Sequence, residues 1–80
     1  MRKSLVGGFA EILEVGDGEY PQYIGTKIWV AKVHSQVGRW LSVTGILLED
    51  VPLNGDRLNK QGGYVWLRKA KLKPISYLFI

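Results

Sequence analysis

The sequence predicts an all-β domain in which five or six short antiparallel strands close as a small barrel, and three observations carry that expectation. Ten glycines and three prolines interrupt the 80 residues so often that no stretch supports a long amphipathic helix. The runs between them are rich in β-branched and aromatic side chains, which pack on a pleated surface. Several short runs separated by turn signals are the pattern of a closed or two-layered antiparallel sheet.

Phe9 to Val15 lies between Gly8 and Gly16 and is too short for a stable helix, so it reads as a strand. Gly16-Asp17-Gly18 turns the chain, and the irregular stretch Glu19 to Thr26 leads into Lys27 to Val33, the clearest strand signal. His34 to Gly38 is the connection of a hairpin, centred on Ser35-Gln36 or Val37-Gly38. Arg39 to Leu48 is the second strand of that hairpin, bent or bulged at Gly45. Glu49 to Gly63, with Pro52, Asn54-Gly55-Asp56 and Gly62-Gly63, is a loop of 15 residues, a length that in so small a domain marks a functional or mobile segment. Tyr64 to Lys69 is the next strand, followed by a short turn at Ala70 to Lys73 before Pro74. Ile75 to Ile80, apolar on both parities, reads as a last strand that is covered on both faces or paired with a second copy as a homodimer.

Residues 1–80 make one domain, because a chain of this length has material for a single core. Without cysteine there is no disulfide and no thiolate metal site, so the reducing cytoplasm is the expected compartment. The opening Met-Arg-Lys has the charge of an export signal, but two glycines and Glu11 break the apolar run that would follow. No segment approaches the roughly 20 apolar residues of a membrane-spanning helix.

From Arg57 onward the chain carries Arg57, Lys60, Arg68, Lys69, Lys71 and Lys73 and no acidic residue, with Tyr64 and Trp66 among them. The first 26 residues instead carry Glu11, Glu14, Asp17 and Glu19 against Arg2 and Lys3, so the net charge of +4 is unevenly divided. The acidic group reads as a solvated loop opposite the basic strip. Basic charge interleaved with aromatic rings attracts phosphates and stacks bases. Strand alternation puts Leu41 and Val43 inward and Trp40, Ser42 and Thr44 outward; Val65 and Leu67 inward and Tyr64, Trp66 and Arg68 outward; and Ile28 and Val30 inward with Trp29 outward. All three tryptophans thus share the outer surface by parity. Tryptophan is nevertheless highly buried on average. Long loops and the C-terminal strand are therefore expected to cover at least two of the three, leaving Tyr64 or Trp66 accessible beside Arg68.

The order of strand, acidic loop, hairpin, second loop, strand, tight turn and final strand resembles an SH3-like barrel over about Gly8 to Ile75. Tyr23-Ile24-Gly25-Thr26-Lys27-Ile28-Trp29-Val30 is similar to the approach to the second strand of such barrels, and Val65-Trp66-Leu67 through Leu72-Lys73-Pro74-Ile75 to their end. A polyproline-binding member would open on an Ala-Leu-Tyr-Asp-Tyr type motif, which Phe9-Ala10-Glu11 does not match. The plasmid-type dihydrofolate reductases share the size and barrel. Their Val-Gln-Ile-Tyr substrate strand is Tyr64-Val65-Trp66-Leu67 here, which removes that argument for an enzyme.

No catalytic constellation stands out. His34 is the only histidine and reads as a surface turn residue, neither glycine cluster leads into a phosphate-cradling helix, and the acidic spacing is not that of a calcium loop. The reading is a cytoplasmic, non-enzymatic module without cofactor or metal. It contacts nucleic acid without strong sequence specificity, Trp29, Trp40, Tyr64 and Trp66 supplying rings and Arg68, Lys69, Lys71 and Lys73 holding phosphates. The rival is a protein-interaction module whose tryptophans anchor a partner, of the kind that compact accessory proteins of phages and mobile elements resemble.

Overall fold

Residues 5–75 are described by the computed structural model. Six strands follow in order: β1 (Phe9–Val15), β2 (Lys27–Val37), β3 (Trp40–Leu47), β4 (Val51–Pro52), β5 (Leu58–Asn59) and β6 (Tyr64–Ile75), with one 3-10 turn at Pro21–Tyr23. β1, β2, β3 and β6 form a closed antiparallel barrel in that order, and β4 and β5 form a separate two-stranded ribbon. The barrel encloses Ala10, Ile12, Ile28, Val30, Val43, Leu47, Val65, Leu67 and Ala70, all at most 4% exposed.

Four strands close a barrel only if they are long and strongly bent, and β-bulges do the bending. The β2–β3 register skips between Val30 and Lys32 and again between Val33 and Ser35. Ala31 and His34 are the extra residues. The β1–β6 register skips at Leu13, between Ile12 and Glu14. Between β3 and β6 the pairs Leu41↔Ala70 and Val43↔Leu67 leave Arg68 and Lys69 opposite Ser42 alone. Each irregularity places two successive residues outward and so reverses the inward parity beyond it.

The bulge at Arg68-Lys69 corrects the expected turn at Ala70 to Lys73. Alternation carried on from Val65 and Leu67 would bury Lys69 and Lys71, which reads in sequence as the end of a strand. In the structure the bulge puts Ala70 inward and lets β6 run unbroken to Ile75. Its freed Arg68 N–H donates to Glu19 Oε2 at 2.9 Å. The expected last strand, Ile75 to Ile80, lies outside the described residues apart from Ile75, which ends β6.

Two further expectations change. The hairpin turns at Gly38-Arg39, since Val37 pairs with Trp40, and Gly38 has φ +63°, the left-handed backbone that the first position of a tight hairpin turn requires. His34 is therefore a strand residue. The segment Glu49 to Gly63 is not an open loop: Val51↔Asn59 and Pro52↔Leu58 pair it into a ribbon, and Val51 is buried. The ribbon docks on the first loop through Asn59 Nδ2 donating to Tyr23 OH (3.0 Å), Arg57 Nη1 to Tyr20 OH (3.2 Å) and Gln22 Nε2 to Asn54 Oδ1 (2.9 Å). Tyr23, 6% exposed, plugs the barrel beneath it. Among the described residues no helix is long and apolar enough to cross a membrane.

Candidate functional site

Directly opposed residues of neighbouring strands share a face, so the register assembles the outer surface row by row. One row runs Phe9, Trp29, Ile46, Tyr64 across β1, β2, β3 and β6. The next runs Lys32, Thr44, Trp66 across β2, β3 and β6. The bulge at Ala31 is what turns Lys32 outward to join it. The bulge at His34 brings that ring over the same row, with His34 Nε2 2.7 Å from Thr44 Oγ1 and its ring edge toward Trp66 at 6.0 Å between centroids. Arg68 lies over the Trp66 ring at 5.3 Å.

All three tryptophans face outward, as parity predicts, and the expectation that at least two are covered is not met. Trp66 is 58% and Tyr64 72% exposed, while Trp29 and Trp40 are half-buried. Among the described residues, the long loop expected to cover the outer side of β6 lies elsewhere. The long loop folds as the β4–β5 ribbon against Tyr20 to Tyr23, and β6 itself continues to Ile75.

The basic strip divides in two. Trp40 carries Lys69 Nζ at 5.2 Å and Lys71 Nζ at 4.6 Å over its ring, and Lys71 also meets Glu14 Oε2 at 3.7 Å. The stem of Lys69 fills the space beside Gly16, where a Cβ would come within 2.8 Å of Lys69 Cδ. These rings and cations are engaged with one another. Lys73 stands opposite Glu11, which is opposed on its other side by Lys27. The acidic residues of the first segment are therefore not a separate loop facing away from the basic ones. Glu11 and Glu14 are built into the strand that pairs with β6, and Glu19 caps the β6 bulge.

Of the eight residues singled out in sequence, Trp29, Tyr64, Trp66 and Arg68 come together on one outer face. Trp40, Lys69 and Lys71 form a second cluster four residues away along β3, and Lys73 joins neither. Lys32, His34, Thr44 and Ile46 belong to the face and were not singled out. A parity count from Ile28 places Lys32 inside, so only the bulge reveals it.

Trp66 is open to an incoming ring despite Arg68. An exposed cation–π contact contributes about 0.5–1 kcal/mol, whereas stacking a base on an aromatic side chain contributes about 1–3 kcal/mol. The guanidinium contact alone therefore does not close the Trp66 ring to a competing stacked ring. A second concavity, the groove lined by Leu13, Leu41 and Leu72, carries the paired Glu14 and Lys71 together with Arg39, and lies apart from the exposed rings of Tyr64 and Trp66. Comparison with known proteins finds no matching family, no matching curated protein and no matching solved structure.

Proposed function

We propose that the chain is a non-enzymatic, cytoplasmic module of SH3-like architecture that contacts nucleic acid without strong sequence specificity through the outer face of β2, β3 and β6. The observation that carries this reading is the exposure of Tyr64 and Trp66 in alternation on one strand face, flanked by Arg68 and Lys32. Large exposed rings among cations cost solubility and are typical of binding surfaces. The face presents cations and rings, and its polar pair His34 and Thr44 is hydrogen-bonded to itself, which supports contact through backbone and stacking.

With Lys71 and Lys73 opposite carboxylates, the phosphate contacts fall to Lys32, Arg68 and, from the neighbouring cluster, Lys69, which is exposed and adjoins Arg68 in the β6 bulge. Three contacts give a slope of log K against log salt of about −2 on a single strand. Retention of a labelled oligonucleotide at about 50 mM salt, weakened some twenty-fold by about 200 mM, is the expected result. Charge reversal by Lys32→Glu or Arg68→Glu should abolish it. Absence of binding at the lower salt, or binding indifferent to both reversals, removes the reading. The apolar row Phe9, Trp29, Ile46 and Tyr64 favours the rival, a protein partner. That rival requires salt-insensitive association lost on Trp29→Ala.

A further inference from the structure

We infer that the nucleic acid this face takes is a single strand with its bases unstacked from one another, and that Tyr64 and Trp66 each hold one base of an adjacent pair. The inference rests on the nucleic-acid reading above and narrows its ligand class.

Tyr64 and Trp66 stand two residues apart on the regular part of β6, ahead of the bulge at Arg68-Lys69, and both point outward. Successive same-face positions of a strand are about 6.5–7 Å apart. Bases stacked along one strand of a duplex are about 3.4 Å apart. Two neighbouring bases therefore occupy both rings only after separating from each other by roughly twice that rise. A duplex hides its base faces within the stack, so it has nothing to lay on either ring, whereas the splayed bases of a single strand expose them. The surface is also the convex outside of a barrel, which a stiff duplex meets along a narrow contact.

The cations sit where a backbone passing these rings would run. Lys32 lies across two strands from Trp66 in the row Lys32, Thr44, Trp66, about 10 Å away. Arg68 is the next outward residue on β6 and already contacts the Trp66 ring. Trp40 does not extend the platform, because it stands four residues from Thr44 along β3, past the β6 bulge, and is half-buried.

The test compares a labelled oligothymidylate of about a dozen nucleotides with a duplex of equal length, by fluorescence anisotropy at low salt on the full chain. Expected is single-strand binding at least about tenfold tighter than duplex binding, with quenching of tryptophan fluorescence that Trp66→Phe diminishes. Tyr64→Ala and Trp66→Ala should each weaken the single strand by about five- to a hundred-fold and leave the duplex unchanged. Tyr64→Phe, which keeps the ring, should retain most affinity and serves as the folded control. Equal affinity for both forms, or equal losses on both, overturns the inference while leaving nucleic-acid binding in place. Binding of neither form overturns the nucleic-acid reading itself.

Discussion

Replacing Gly45 by alanine sets two opposing effects against each other, and the barrel geometry decides the sign. Glycine inside a strand ordinarily costs about 0.5–1 kcal/mol relative to alanine through backbone entropy, so the substitution would normally stabilise. At this position a Cβ would lie 2.8 Å from Ile28 Cδ1, 3.3 Å from Ile28 Cβ and 3.0 Å from the Trp29 carbonyl oxygen. Ile28 is fully buried in the core, so its terminal methyl has no free space to yield into, and the Trp29 carbonyl belongs to the paired strand. Overpacking of this kind costs about 1–3 kcal/mol. The net is a loss near 1 kcal/mol, or a fall in Tm of about 4–8 °C for a domain this size. Thermal unfolding followed by circular dichroism reads it directly. Ile28→Val removes the Cδ1 that makes the closest contact, so in that background Gly45→Ala should cost less by about 0.5 kcal/mol or more, with the Trp29 carbonyl limiting the recovery. A rise in Tm for Gly45→Ala, or costs that simply add, would refute the reasoning. Gly45 pairs with Val30 and Val65, one position along β3 from the row Trp29, Ile46 and Tyr64.

Neighbouring residues of β6 should respond oppositely to truncation: Leu67→Ala, at a fully buried site, is expected to cost about 2–5 kcal/mol, whereas Trp66→Ala should move stability by only about 0.5 kcal/mol, as chemical denaturation will show. Tyr23→Phe removes the hydroxyl that accepts from Asn59 and should cost about 0.5–1.5 kcal/mol. Combined with Asn59→Ala it should be clearly non-additive if that bond docks the β4–β5 ribbon. Glu14→Gln frees Lys71 and should change stability by well under about 1 kcal/mol, since exposed pairs contribute little. If Lys71 then reaches a phosphate, the salt slope on a single strand steepens by about 0.7, and an unchanged slope places Lys71 beyond the binding path.

Much of the barrel was legible because each strand core is a short alternating run. Ile28 and Val30, Leu41 and Val43, and Val65 and Leu67 point inward as their parity requires. Trp29, Trp40, Tyr64 and Trp66 therefore point outward for a reason visible in the chain alone. The reading failed wherever a strand contains a bulge. Lys32, His34 and Lys69 lie beside such irregularities, and a parity count passing through them assigns the wrong face or ends the strand early.

The linear order of residues determined the all-β class, the inward and outward sets between irregularities, and the presence of exposed rings next to cations, because these follow from the two-residue period of an extended backbone. Tertiary structure alone decided where that period slips, since a bulge is a count of two residues against one and has no meaning until the opposite strand is known. It also decided which charges meet. Antiparallel pairing of the first barrel strand with the last sets Glu11 and Glu14 against Lys73 and Lys71 across more than fifty residues of chain, a distance over which sequence carries no record of contact.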